Sequence, residues 1–166
     1  AKDNGRNQVV QLGVGLAGKE EETGMLSNWL AWFRNATPHV LIERRLIPYL
    51  DLAYQGFGDG IETDAYAVRA LATAGASFFV ANSFSKSMSV YGERAGALSV
   101  VCPDAKQAEH VLGQMKFIIR RIYSSPAIHG GQIVAHVLAD ADLRPMWEAE
   151  LAAMRARILA MRKALH

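Results

Sequence analysis

One cysteine, Cys102, stands in 166 residues, so no disulfide can close within the chain. A lone thiol fits a reducing compartment better than an oxidising one. Prolines are few, five in all. No apolar run approaches the roughly 20 residues that a membrane-spanning helix requires. No segment has the charged, apolar and small-residue parts of a signal peptide. Neither sign of charge prevails: 18 lysines and arginines face 16 aspartates and glutamates, a formal net charge of +2. That balance argues against nucleic acid as a partner. Of the five histidines, His129 and His136 share one predicted helix, two turns apart. That is too far for one metal ion, and both read as ordinary polar positions. These absences predict a soluble cytoplasmic protein with no metal, membrane or nucleic-acid partner. Apolar residues, by contrast, are abundant: 51% hydrophobic against 20% charged allows a packed core in one domain of ordinary size.

One stretch organises the chain. Gly75-Ala76-Ser77-Phe78-Phe79-Val80-Ala81 is a continuous apolar run that reads as a buried strand. Ser83-Phe84-Ser85-Lys86 follows, then Arg94 eight residues beyond the lysine, then a second strand at Ala97–Val101. A lysine past the carboxyl end of a buried strand sits where open α/β sheets bind ligands. Beside an arginine in a partly dry site its ammonium form is disfavoured, and a neutral amine attacks carbonyls. Taken alone, the same tetrapeptide also describes a solvated loop lysine.

Three motifs in order carry a resemblance. Ser83-Phe84-Ser85-Lys86 with Tyr91-Gly92-Glu93-Arg94 resembles the cofactor-lysine segment of class I pyridoxal-phosphate aminotransferases, the aspartate and aromatic amino acid branch. Leu46-Ile47-Pro48-Tyr49-Leu50-Asp51-Leu52-Ala53-Tyr54-Gln55-Gly56-Phe57-Gly58 is similar to that family's strand bearing the pyridinium-binding aspartate. Tyr123-Ser124-Ser125-Pro126 and Arg157-Ile158-Leu159-Ala160-Met161-Arg162 complete a resemblance running from about Glu43 to Leu165. The implied fold is α/β: part of the fold-type I transferase large domain, with an incomplete, mostly parallel sheet flanked by helices and a long C-terminal helix. The implied activity is amino-group transfer between an aromatic or acidic amino acid and a 2-oxo acid, in a homodimer. Carried over residue by residue, Lys86 is the catalytic, cofactor-bearing amine. Asp51 and Tyr54 hold the ring of pyridoxal 5'-phosphate, and Ser83, Ser85 and Arg94 hold its phosphate. Arg120 meets an acidic substrate's side chain from the neighbouring subunit. Read without the resemblance, Asp51 is a helix cap or loop carboxylate, and Arg120 with Arg121 suits the negative end of a helix dipole.

Several family features have no counterpart here. There is no glycine-rich phosphate loop, no ring-stacking aromatic segment and no histidine-asparagine-proline turn ahead of Leu46. Ser87-Met88 stands where asparagine-phenylalanine is usual. The expectation is a fragment with little activity alone: residues 1–42 a leader of unrelated origin, residues 43–166 a partial large domain. Residues 1–10 resemble the end of a diguanylate cyclase domain, with a turn at Asp3-Asn4-Gly5 and a short strand over Gln8–Leu12. Gly13, Gly15 and Gly18 have dinucleotide-loop spacing without a βαβ unit around them. The leader keeps two other functions open, a non-catalytic interaction module and the tail of a cyclase-type signalling protein. Trp29 and Trp32, on a predicted helix over residues 25–34, together with the last helix would form the module's interface.

The remaining elements follow from periodicity. Thr37-Pro38 is expected to end the helix over 25–34. Strands are predicted over 46–52, 77–83 and 97–101. Asp64 is expected to cap a helix over 65–74 with an apolar face of Ala65, Val68, Leu71 and Ala72. A helix over 104–122 has a predicted buried stripe of Ala105, Ala108, Val111, Leu112, Met115, Ile118, Ile119 and Ile122. Helices over 127–138 and 142–165 follow, the last capped by Asp142. Trp147, Leu151, Met154, Ile158, Met161 and Leu165 form its predicted seam for another helix.

Overall fold

The computed structural model describes residues 37–165. The expected strand over residues 8–12 and helix over 25–34, with Trp29 and Trp32, lie outside the described residues. Helix α1 spans Thr37–Glu43. Thr37 and Pro38 are the first described residues of this helix, and the expected end of the helix over 25–34 lies outside the described residues. In a first turn the missing proline N–H has no intrahelical partner to lose, so Pro38 is tolerated there. The helix ends at Arg45, left-handed at φ 52°. Leu46 N–H donates across that turn to Leu41 O at 2.9 Å, the six-to-one bond that closes many helices.

Three strands, β1 (Tyr49–Leu52), β2 (Phe78–Ser83) and β3 (Gly96–Val101), form one sheet in that order. β1 and β2 are parallel and β3 runs antiparallel to β2. Between β1 and β2 lie a short helix α2 (Ile61–Asp64) and helix α3 (Tyr66–Thr73). Gly75, at φ 73°, ends α3 with bonds from Gly75 N–H to Ala72 O and from Ala76 N–H to Leu71 O. A left-handed residue is needed there, and glycine adopts it without Cβ strain.

The core lies between one face of the sheet and helices α1 and α3. Leu50, Phe78 and Val80 pack with Leu41, Leu71 and Ala76, and Ala67, Val68 and Val101 lie against them. Of the expected α3 face, Leu71 is fully buried and Ala72 is exposed; Ala67 takes its place. The apolar run of β2 was expected to be buried throughout. Instead Phe78 and Val80 are buried while Phe79 and Ala81, on the other face, are only half-buried.

Helix α4 (Ala105–Ile122) starts at Asp104, whose carboxylate accepts from Gln107 N–H at 2.8 Å. Its expected buried stripe is not buried: Leu112, Ile118 and Ile122 are about half-exposed or more. No residue of α4 is buried, because among the described residues it touches mainly β3. Helices α5 (His129–Ala139) and α6 (Leu143–Ala164) pack as a pair. The predicted α6 seam is buried at Leu151 and half-buried at Trp147 and Met154. Further along, Ile158, Met161 and Leu165 are exposed, since no described element covers them. Among the described residues no helix is long and apolar enough to cross a membrane.

Two cap assignments change. Asp64 is the last residue of α2 and does not cap α3; its carboxylate turns back onto the preceding glycine turn. Asp142 makes no cap bond either. Asp140 takes that role, accepting from the N–H groups of Asp142 and Leu143 at 2.9 Å each. The Asp140 carboxylate thereby satisfies amides at the start of α6 that have no intrahelical partner.

Two predictions follow from this packing. Phe78 has no exposed surface, so Phe78→Ala should cost about 3–5 kcal/mol in urea unfolding; a loss below 1 kcal/mol would contradict the core assignment. The second concerns Asp140. The Leu143 and then the Asp142 amide hold its pKa below the usual carboxylate value; desolvation opposes them, and His136 adds a smaller lowering. A depressed folded pKa stabilises fully above the unfolded pKa and is lost as pH falls through the folded value. Asp140→Ala should therefore lower the melting temperature at about pH 6 more than at about pH 3. Equal losses at both pH values would exclude this linkage.

Candidate functional site

Parallel pairing sets β1 and β2 side by side at one edge of the sheet. Asp51 pairs with Ala81 and Leu52 with Asn82, so the chain leaves both strands at the same level. Leu50 faces the core, and the two-residue period of a strand puts Asp51 on the opposite, open face. Asp51 is exposed.

After β2 the chain coils into a turn around the lysine. Met88 N–H donates to Phe84 O at 3.0 Å and Ser89 N–H to Lys86 O at 3.3 Å. Ser83 Oγ accepts from Ser85 N–H at 3.3 Å. Ser85 and Ser87 are buried on either side of half-buried Lys86. The ammonium of Lys86 lies 5.1 Å from the ring centroid of Tyr54, which comes from the β1 loop. A cation over a phenol ring is worth about 0.5–1 kcal/mol at an exposed site. Tyr54 is 64% exposed, so the contact orients the amine without locking it. Phe57 meets the Tyr54 ring edge-on, with centroids 6.4 Å apart. An amine so held is a nucleophile towards a carbonyl carbon whenever it is neutral.

Arg94 closes a short 3-10 turn, Tyr91–Glu93, and donates to Tyr91 O at 3.1 Å. It stands left-handed at φ 52°, as Ser89 does at φ 54°. For residues other than glycine that conformation costs about 1–2 kcal/mol each, so the segment between the lysine turn and β3 is held by its surroundings. Helix α5 supplies part of that support. A Cβ on Gly130 would meet Glu93 Cβ at 2.9 Å, and His129 Nε2 stands 3.9 Å from Glu93. Glycine at 130 is what lets α5 approach this turn.

Six of the seven predicted site residues, Asp51, Tyr54, Ser83, Ser85, Lys86 and Arg94, thus lie on the segments that leave β1 and β2 at this edge. Arg120 is apart from them. It lies near the end of α4, exposed, and donates to the Ser124 hydroxyl in the following turn.

Sequence reasoning missed the residues that hold the two loops. Asp64 carboxylate oxygens accept from Gly56, Gly58 and Asp59 N–H at 2.7, 3.0 and 2.8 Å. Gln55 accepts from Asn82 Nδ2 at 3.3 Å and donates to Ile61 O at 3.0 Å, joining the β1 loop to the end of β2. From α6, Trp147 Nε1 donates to Ser87 O at 2.7 Å and Arg155 donates to Gly56 O at 3.1 Å. A cluster of glycines followed by an aspartate was the one available signal, and it was read as a helix cap.

The family model described as aminotransferase class I and II matches residues 39–166. A tyrosine aminotransferase of Klebsiella pneumoniae is 61% identical over 126 residues, 76% of this chain and 32% of its own length. An aromatic-amino-acid aminotransferase of Escherichia coli K12 is 57% identical over 131 residues, 79% of this chain and 33% of its own. Among solved structures, an aromatic-amino-acid aminotransferase from Burkholderia pseudomallei, covalently bound to pyridoxal phosphate, superimposes with a TM-score of 0.78 at 52% identity. It covers 81% of this chain and 34% of that one. The chain therefore spans about a third of the length of the curated relatives it matches. The family match begins at residue 39, and the cyclase likeness of residues 1–10 finds no support. Identity and superposition at these levels make the α/β fold part of the fold-type I transferase fold, and the chain belongs to the class I and II aminotransferases.

Proposed function

We propose that this chain is part of an aminotransferase that moves an amino group between an aromatic or acidic amino acid and a 2-oxo acid with pyridoxal 5'-phosphate. The observation that carries the reading is the meeting of Lys86 and Tyr54, from two different loops, at the edge where Asp51 lies near the end of β1. The donor set fits the cofactor: an amine for its aldehyde, a carboxylate for its ring nitrogen, a phenol for its ring hydroxyl, and hydroxyls with a guanidinium for its phosphate. When bound, the cofactor supplies an electron sink for the substrate α-carbon.

This chain's residues do the rest. Lys86 Nζ takes and returns the proton at the substrate α-carbon. The Asp51 carboxylate holds a proton on the ring nitrogen. Tyr54 donates its hydroxyl proton and offers its ring face to the Lys86 ammonium. Ser83, Ser85 and Arg94 bind phosphate oxygens, the guanidinium by a charge-assisted pair. Arg120 recognises an acidic side chain from across a subunit boundary. The portion of the large domain begins at about residue 39, a few residues before the expected 43, and a leader of separate origin is confined to the residues ahead of it. A homodimer in the cytoplasm fits the half-exposed Leu112, Ile118 and Ile122 on α4, near Arg120, and the single thiol.

The test is covalent trapping. With excess pyridoxal phosphate and borohydride, peptide mapping should find the reduced adduct mainly on Lys86, and Lys86→Ala should lose most of the label. Asp51→Ala should weaken binding about tenfold or more, since a charged partner is removed. Equal labelling of the parent and Lys86→Ala, spread over lysines such as Lys106 and Lys116, would defeat the proposal.

A further inference from the structure

The long helix α6 touches both loops that carry the site, and it does so with one stripe of residues. Trp147, Leu151 and Arg155 are spaced by four, so they lie along one side of the helix. Trp147 Nε1 donates to Ser87 O, the carbonyl next to Lys86, at 2.7 Å. Leu151 is 1% exposed, and its side chain fills the space beside Gly56, where an added Cβ would come within 2.4 Å of it. Arg155 donates to Gly56 O at 3.1 Å and passes 3.6 Å from where a Cβ of Gly60 would stand. One end of the stripe therefore grips the lysine turn. The other grips the glycine turn behind Tyr54.

We propose that α6 is a splint across the site, with Trp147 and Arg155 as positioning residues that fix the separation of Lys86 from Asp51 and Tyr54. Neither residue touches the reacting atoms; each acts through a backbone carbonyl. The two loops also meet through the β1–β2 pairing, the long Gln55–Asn82 bond of 3.3 Å and the exposed Lys86–Tyr54 contact. A single helix bonded to both adds a link that runs through neither loop. The assignment of what is positioned rests on the cofactor reading above; the mechanical link does not.

Amide exchange of the 166-residue chain, followed by mass spectrometry or NMR, tests the link without cofactor. Trp147→Phe removes the donor and keeps an aromatic ring. It should speed exchange at Met88 and Ser89 about three- to tenfold, the effect of one net hydrogen bond. Arg155→Met should do the same at Phe57, Gly58 and Asp59, and Arg155→Lys, which keeps a donor, should restore most of the protection. Amides of Phe79–Asn82 in β2 should be unchanged in all three variants. Each loosening variant should also slow borohydride-trapped labelling of Lys86 by pyridoxal phosphate severalfold. Unchanged loop exchange, or equal acceleration in β2, would overturn the splint. If the parent chain gives no Lys86 adduct while loop exchange changes as expected, the cofactor reading fails and the splint stands.

Discussion

The register of β1 on β2 is the constraint on which the site depends. Leu50 opposite Val80 and Asp51 opposite Ala81 is one of two alternatives that differ by a single residue. A one-residue slip would turn every β1 side chain to the other face. Asp51 would then enter the core and Leu50 would meet water. Burying an unpaired carboxylate costs several kcal/mol, and exposing Leu50 forfeits about 2 kcal/mol more. The core cluster of Leu41, Leu50, Leu71, Phe78 and Val80 thus specifies where Asp51 stands. In this chain the packing of one sheet face decides the chemistry available on the other.

Strand register brings the loops to one edge but does not shape them. Residues 53–60 contain three glycines and residues 84–95 hold two left-handed non-glycine residues, so neither loop is held by its own propensities. Each is shaped from outside. The Asp64 carboxylate gathers three amides of the glycine turn, and bonds of this charged kind are worth about 1.5–3 kcal/mol each. Gly56 stands left-handed at φ 94°, a conformation glycine adopts without Cβ strain. On the lysine side, α5 pressed against Glu93 at Gly130 and α6 bonded to Ser87 O play the corresponding part. The site is built by strands, held by helices and displayed on loops that could not keep their shape alone.

The sequence was legible where a rule is local. Strand positions came within a few residues, because Pro48, the glycines and the apolar runs punctuate them sharply. The Asp104 cap found in the structure is a local bond of the same kind, to Gln107 N–H three residues on. The Asp64 and Asp142 caps were misread for one reason: a short carboxylate can reach several amides, and its choice depends on how the chain bends. Asp140, two residues earlier, has the geometry that Asp142 lacks. The motif residues could be named from their pattern, whereas Trp147 and Arg155 could not. Their partners are 60 and 99 residues away in sequence and are backbone carbonyls, which every residue possesses. Nothing in the local sequence marks one carbonyl as the recipient.

The buried stripe expected on α4 shows a different limit. A 3.6-residue apolar period says that a helix face suits an apolar neighbour; it does not say which chain segment or subunit provides one. On α3 the neighbour is the sheet, and Leu71 is fully buried. On α4 the described residues supply mainly β3, and Leu112, Ile118 and Ile122 remain exposed. The lower half of α6 behaves in the same way at Ile158, Leu159 and Met161. The upper half does not, because Trp147 and Leu151 face loops of this same chain. A single helix thus divides at about Met154 into a part whose apolar stripe is satisfied by the site and a part whose stripe is left open. The satisfied part is the one that bears on Lys86, so the element that holds the lysine turn is anchored within the chain whatever covers the rest of the helix.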